Sequence, residues 1–191
     1  MERAVIKRAI DIAIALAALF GLALPMAVIA VLVKLTSPGP VLYWSERVGR
    51  DNRIFRMPKF RSMRIDTPVV ATHLLESPGQ WLTPIGSFLR KSSVDELPQL
   101  WTILNGDMSI VGPRPALHNQ HDLIELRTQR GVHTLRPGLT GWAQVNGRDE
   151  IPLADKVAYD AWYLDHRSLG LDLKIMLLTG VKVLRKEGVA H

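Results

Sequence analysis

At 191 residues the chain is long enough to bury one core, and nothing in its composition marks a second domain. Its 47% hydrophobic content and mean hydropathy of +0.08 would pass for an ordinary soluble protein, but the apolar residues are unevenly spread. The absence of cysteine excludes a disulfide framework and a thiolate metal site, in keeping with a reducing compartment, and a formal charge of +6 favours anionic partners.

Residues 12–33 form a run of 22 without a charge. As a straight helix this run would extend about 33 Å, enough to cross a bilayer core. Pro25 interrupts it near the middle and Gly21 lies one turn earlier, so a kink is expected there. Arg3, Lys7 and Arg8 precede the run, and Lys34 with a basic stretch follows it. Positive charge on both flanks favours a helix that enters, breaks at Pro25 and returns to the same face over an ordinary spanning anchor. A cleaved signal peptide is disfavoured, because the run exceeds roughly 7 to 15 residues and no A-x-A site follows it before Lys34. Eight basic residues (Lys34, Arg47, Arg50, Arg53, Arg56, Lys59, Arg61, Arg64) stand against Glu46 and Asp51 in the next stretch. Beside a membrane helix, such a stretch most economically meets head groups or a lipid phosphate rather than nucleic acid.

Thr36-Ser37-Pro38-Gly39-Pro40 is a stiff turn cluster. Residues 41–44 and 53–57 read as a short hairpin across Gly49-Arg50-Asp51-Asn52, too small to make a sheet protein. The segment 66–80 is the best candidate for a mobile loop, and Thr83-Pro84 reads as an N-cap followed by a first-turn proline that opens a helix through Arg90. The next helix begins near Ser93, carries Leu97, Leu100, Trp101 and Leu104 on one face and stops at Asn105-Gly106. Asp95 and Glu96 therefore sit in its first turn, where unpaired N–H groups, the helix dipole and neighbouring Arg90 and Lys91 favour ionised carboxylates. An ionised, partly desolvated Asp is a usable nucleophile. Ser93-Val94-Asp95-Glu96 also matches a capping box, with Glu96 reaching back to the Ser93 N–H, and capping is the better reading of these residues alone.

Residues 106–115 cannot form a regular helix, and Arg114 is held between two prolines. A helix is expected from 116 to about 130, on which His118 and His121 read as part of a solvated face rather than as metal ligands. Residues 135–148 read as a long loop: either an ordered surface loop with turn glycines, or one whose glycines let backbone approach a phosphate while Arg136 and Arg148 fork onto its oxygens, the reading its Trp, Gln, Asn and Arg content favours. Helices over 152–166 and 171–186 close the chain, the last with an apolar face and basic residues suited to a bilayer surface or to covering the core.

Four segments, in this order, resemble the signatures of a small monotopic phosphoglycosyl transferase, of the bacterial sugar transferase family: Met57-Pro58-Lys59-Phe60-Arg61-Ser62-Met63, Ser93-Val94-Asp95-Glu96-Leu97-Pro98-Gln99-Leu100, residues 106–115 and residues 136–148. The likeness runs from about residue 7 to 189 and departs at Leu24-Pro25, where small members carry Ser-Pro. Leucine cannot satisfy a carbonyl freed by the kink, so re-entrant geometry rests on Pro25 and packing. The resemblance implies a mostly α fold with a small β-hairpin. Residues 1–36 would be a Pro-kinked re-entrant membrane helix, and residues 37–191 a compact helical catalytic domain on the cytoplasmic face of the bacterial inner membrane.

It further implies transfer of a sugar 1-phosphate from a UDP-sugar to undecaprenyl phosphate, with Mg²⁺, release of UMP and a covalent intermediate on Asp95, so as to initiate glycan assembly. Carried over by motif position, Glu96 is the dyad partner, Lys59, Arg90, Arg114 and Arg148 are candidate phosphate contacts, and Asp95 also touches the metal. Arg136, Gly138, Gln144 and Asn146 form a candidate substrate loop. A homodimer is compatible with a membrane-bound helical domain of this size. The rival readings are a non-catalytic membrane protein that binds a glycolipid or nucleotide sugar, and a lipid-phosphate phosphatase with water as the final acceptor.

Overall fold

In the computed structural model, which describes residues 2–68, 75, 77–147 and 151–185, helices dominate and strands occur in two small pairs. Helix α1 (Glu2–Gly21) and helix α2 (Ala23–Thr36) meet at Leu22 with a bend of 62°. The bend lies three residues before Pro25, whose ring displaces the carbonyl of Gly21 and whose missing N–H leaves that carbonyl without its helical donor. The flanking bonds, Leu22 N–H to Ala18 O and Met26 N–H to Leu22 O, are both 2.8 Å and intact. No single helix among the described residues is long and apolar enough to cross a membrane, whereas the bent pair together passes by length and composition.

The first half of the pair is tied firmly to the rest of the chain. Its inward stripe is polar before it is apolar. Lys7 pairs with Asp172 at 2.9 Å, and Arg8 donates to the carbonyls of Ile103 and Leu104. The Asp11 carboxylate accepts from Ser109 Oγ at 2.8 Å and Ile110 N–H at 3.0 Å. Beyond these, Ile14, Ala15, Ala18 and Leu19 join the main apolar cluster of Met57, Leu100, Ile103, Met108, Val111, Tyr163 and Ile175.

Strands β1 (Leu42–Val48) and β2 (Ile54–Phe60) form the expected antiparallel hairpin, longer than the local pattern indicated, in a register that runs from Leu42 opposite Phe60 to Val48 opposite Ile54. Part of the 66–80 loop, residues 69–74 and 76, lies outside the described residues; a 3-10 turn spans Pro78–Trp81. Helix α3 (Gly86–Lys91) starts later than expected. Thr83 is not its N-cap: the Thr83 hydroxyl reaches Ser62 O at 3.3 Å, and its N–H bonds the same carbonyl.

The acid-bearing segment is a 3-10 helix, Val94–Gln99, that runs into helix α4 (Leu100–Asn105). Three residues per turn shift the phase, so Leu97, Leu100 and Ile103 face inward and Trp101, expected on that face, is 55% exposed. Gly106, at φ 95°, ends α4 where expected.

The stretch 106–115, expected to lack a regular helix, and the expected loop 135–148 both contain short regular elements. Strand β3 (Ser109–Val111) pairs in parallel with strand β4 (Gly138–Thr140), and the connection between them carries helix α5 (His121–Gln129), shorter than the expected 116–130. Helix α6 (Trp142–Asn146) follows β4 directly. Helices α7 (Leu153–His166) and α8 (Leu169–Arg185) close the fold close to their expected bounds.

Asp11 is 3% exposed and satisfies two buried donors on β3, so Asp11→Ala should lower stability by about 2 kcal/mol or more, read as a lower denaturation midpoint of the full chain in detergent. An unchanged midpoint would show that these bonds do not anchor α1.

Candidate active site

The backbone places Asp95 and Glu96 by a sharp reversal. After α3, Ser93 adopts φ 56° and ψ 15°, a left-handed conformation that costs a non-glycine residue about 1 kcal/mol or more. This turn starts the 3-10 helix and leaves both acids in its first turn. The capping box is absent: Ser93 makes no side-chain cap bond, and only the backbone N–H of Glu96 reaches Ser93 O, at 3.2 Å. Beneath the acids, Val94 and Leu97 pack on Ile29 and Val33 of α2, Phe60 of β2 and Leu89 of α3. The acidic turn is thus seated on the second arm of the bent helix pair.

Glu96 is drawn outward by long-range partners instead of its own N-terminus. Its Oε1 accepts from Lys59 Nζ at 2.7 Å and Arg114 Nη2 at 2.9 Å. Burial opposes its ionisation, but the Arg114 guanidinium and the Lys59 ammonium hold the carboxyl well below the usual carboxylate range. Glu96 is therefore a fixed anion that orients two cations beside Asp95.

Asp95 is the opposite case. It is 7% exposed, and no hydrogen bond reaches its carboxylate among the described residues. Burial pushes its carboxyl up to about 6; Lys59 pulls it down, Glu96 pushes it up, and Arg90 and Arg114 pull it down. Two adjacent acids are thus split into a permanently ionised one and a more basic one with unbonded lone pairs. At neutral pH Asp95 is still mostly ionised, and its raised basicity makes it a better nucleophile than an exposed aspartate.

Arg90 turns an N–H toward Met63 Sδ at 3.3 Å and acts on Asp95 through its charge. Arg114 is positioned from behind. Its carbonyl accepts from Arg127 Nη1 at 2.8 Å, and Arg127 is clamped through two nitrogens, at 3.0 and 2.6 Å, by Asp160 of α7, which is 1% exposed. Nothing local in the sequence marked this buried pair, because its members lie 33 residues apart on helices α5 and α7.

The remaining expected site residues divide. Lys59, Arg90 and Arg114 gather around the two acids. Arg148 lies outside the described residues. At Gly138 a Cβ would collide with the backbone of Gly112, so the glycine permits the close approach of β3 and β4. Gln144 donates to Leu139 O at 3.1 Å and Asn146 to Trp142 O at 2.8 Å, both within their own segment. Arg136 precedes β4 and lines a separate cleft, whereas Arg114 follows β3 at the opposite end of the parallel pair. Among the described residues no three His, Cys, Asp or Glu side chains gather around one point, so the acidic turn can offer a hard cation one or two carboxylates, with substrate oxygens and water to complete the shell.

The model of the family described as bacterial sugar transferase matches residues 2–186. A Xanthomonas campestris protein named UDP-glucose:undecaprenyl-phosphate glucose-1-phosphate transferase is 47% identical over 184 residues, which cover 91% of this chain and 38% of the relative. An Escherichia coli protein of the same name is 41% identical, covering 93% of this chain and 40% of its own length. A Bacillus subtilis protein named uncharacterized sugar transferase EpsL is 40% identical, over 97% of this chain and 90% of the relative. The chain thus spans about two fifths of the first two relatives and nine tenths of the third.

The Asp95 carboxyl is less acidic folded than unfolded, so its ionisation works against folding. This destabilisation is present in full above pH 6 and vanishes as the pH falls below its ordinary value near 4. Asp95→Asn should therefore raise stability at pH 7.5 by about 1 to 3 kcal/mol, measured by denaturant unfolding, and the gain should shrink toward pH 4. A loss of stability at pH 7.5 would contradict the burial argument.

Proposed function

We propose that this chain, which belongs to the bacterial sugar transferase family, moves a sugar 1-phosphate from a UDP-sugar to undecaprenyl phosphate through a covalent intermediate on Asp95. The observation that carries this reading is the contrast within the acidic turn: a buried, unbonded Asp95 carboxylate with raised basicity stands beside a Glu96 locked by Lys59 and Arg114. The names of the Xanthomonas and Escherichia relatives supply the substrate class.

In the first half-reaction an Asp95 oxygen attacks the sugar-linked phosphorus of the UDP-sugar. A bond from that oxygen to phosphorus forms, the bridging phosphorus–oxygen bond breaks, and UMP departs with the electron pair. In the second half-reaction an oxygen of undecaprenyl phosphate attacks the same phosphorus, frees the Asp95 carboxylate and leaves the lipid diphosphosugar. Two easier displacements replace one between two anions. Lys59 and Arg114, oriented by Glu96, and Arg90 face charge on the phosphoryl oxygens. Asp95, with substrate oxygens, would hold Mg²⁺, which when bound supplies charge neutralisation on the diphosphate.

The bent helix pair supports a membrane location for this chemistry. Phe20, Leu24, Val28, Val31 and Leu35 are exposed on it, while Ile29 and Val33 pack under the acidic turn, so one arm presents apolar surface outward and touches the reaction centre inward. In this reading the pair dips into the cytoplasmic face of the inner membrane and returns, which brings a lipid phosphate to Asp95.

The purified chain with Mg²⁺, UDP-sugar and undecaprenyl phosphate should release UMP with parallel-line initial-rate kinetics, and Asp95→Asn should lower the rate by about 1,000-fold or more. Intersecting kinetics would argue for direct transfer, and inorganic phosphate made without a lipid acceptor would indicate a phosphatase. For topology, single cysteines at Ala4 and Leu35, in a chain that has none of its own, should both resist a membrane-impermeant thiol reagent added to intact cells from outside. Labelling of one position alone would indicate a spanning helix.

A further inference from the structure

The basic stretch after the membrane pair does not form one uniform anion surface. Lys34 and Arg61 donate to carbonyls at 37–39, Arg47 to Ser45 and Pro115, and Lys59 to Glu96. Arg56 lies 4.0 Å from Glu46, and Arg64 is paired with Asp66. The two remaining arginines, Arg50 and Arg53, stand at the tip of the hairpin, where they line a cleft with Arg136 from the segment before β4. With Asp51, Ile54 and Asp107 these three arginines line an open cleft of about 360 Å³.

Four features give this cleft the character of an anion site. Arg50 faces only its exposed neighbour Asp51, at 3.4 Å, and Arg53 and Arg136 form no ion pair among the described residues. Arg8, whose guanidinium is held by Ile103 O and Leu104 O, adds its field and Asp11 partly offsets it, so four cations act against the carboxylates of Asp51, Asp107 and Asp11. Partial burial and then the Arg8 and Arg50 charges press on the Arg136 guanidinium, so a bound anion would relieve like-charge repulsion. Guanidinium forks from separate elements also match a tetrahedral oxyanion better than a planar carboxylate could from a single direction.

The cleft is separate from the acidic turn. Lys59 touches Glu96, whereas Phe55 on the same strand lines the cleft, about 13 Å away at the rise of a β-strand. Asp107 and Arg136 precede the two parallel strands, and Arg114 follows β3.

We infer that the cleft between the hairpin tip and the β3–β4 entry, lined by Arg50, Arg53 and Arg136, is a second phosphate-binding site, distinct from the one at Asp95. Its ligand is a phosphate group, carried either by an anionic lipid head group or by a small soluble phosphate.

A fluorophore on Ile54→Cys, 54% exposed at the cleft wall, gives a local readout in a chain without native cysteine. Titration of the full chain in detergent with inorganic phosphate should give a saturable change. Arg53→Gln with Arg136→Gln should weaken it at least tenfold, and Asp95→Asn should leave it unaltered. Arg53→Glu alone, a change at an exposed position, should weaken it in the same direction if the double variant folds poorly. The second arm uses vesicles of phosphatidylcholine with or without phosphatidylglycerol. A phosphatidylglycerol-dependent change lost in the same variants assigns the site to a lipid head group, and a response to inorganic phosphate alone assigns it to a soluble ligand. No saturable response to either probe, or a response that survives in the double variant, overturns the proposal. Because Asp95→Asn serves as the reference, the outcome is independent of the covalent mechanism.

Discussion

The arrangement around Asp95 depends on one ion triad, Glu96 with Lys59 and Arg114. It joins the hairpin strand β2, the 3-10 turn and the Pro-flanked segment after β3, which no backbone hydrogen-bond ladder links to one another. It also sets the electrostatics. With Glu96 ionised and two cations fixed beside it, the site can bury a second carboxylate, Asp95, without any hydrogen bond to that carboxylate. The positions of the cations matter more than their number. Lys59 is fixed by the register of β2, and Arg114 by Arg127 and Asp160 behind it. Triads of this kind contribute little net stability after desolvation, but losing one member leaves the others buried and unpaired.

A second set of buried polar contacts packs the first arm of the N-terminal helix pair into the same body as the acidic turn. Lys7, Arg8 and Asp11 lie on the side of α1 that meets α8, α4 and β3. Tyr163 of α7 completes this set by donating to Asp172 at 2.6 Å. Burial, and then the Asp172 carboxylate, push the Tyr163 hydroxyl far above its ordinary range, so it remains a donor under all physiological conditions. The polar half of α1 thus fixes that helix on α4, α8 and β3, and the bend before Pro25 places α2 under the acidic turn. Position of the bent helix pair and position of Asp95 are one structural problem.

Much of this was legible in the sequence where the signal is local. The proline kink, the hairpin around Gly49-Arg50-Asp51-Asn52, the stop at Gly106 and the two final helices all rest on residues close together in the chain, and all are found. What escaped depends on distant partners. Ser93 and Glu96 have capping-box spacing, yet Glu96 turns to Lys59, 37 residues away, because two full charges outweigh one backbone N–H. Strands β3 and β4 are three residues each, too short for any alternation to show, and only their pairing defines them. The glycines at 138 and 141 also permit a close backbone approach to Gly112, a role with the same sequence signature as approach to a ligand. Among the arginines, charge alone could not separate Arg114, at the acidic turn, from Arg136, at the far end of the parallel pair.

In the proposed mechanism Asp95 carries the sugar phosphate between the two half-reactions. Intact-protein mass spectrometry after incubation with Mg²⁺ and a UDP-sugar, without lipid acceptor, tests it most directly. A covalent intermediate gives a mass increase equal to one sugar phosphate, mapped to the peptide containing Asp95, absent in Asp95→Asn and discharged by undecaprenyl phosphate. An active protein that never gains this mass, or gains it at another residue, would contradict it.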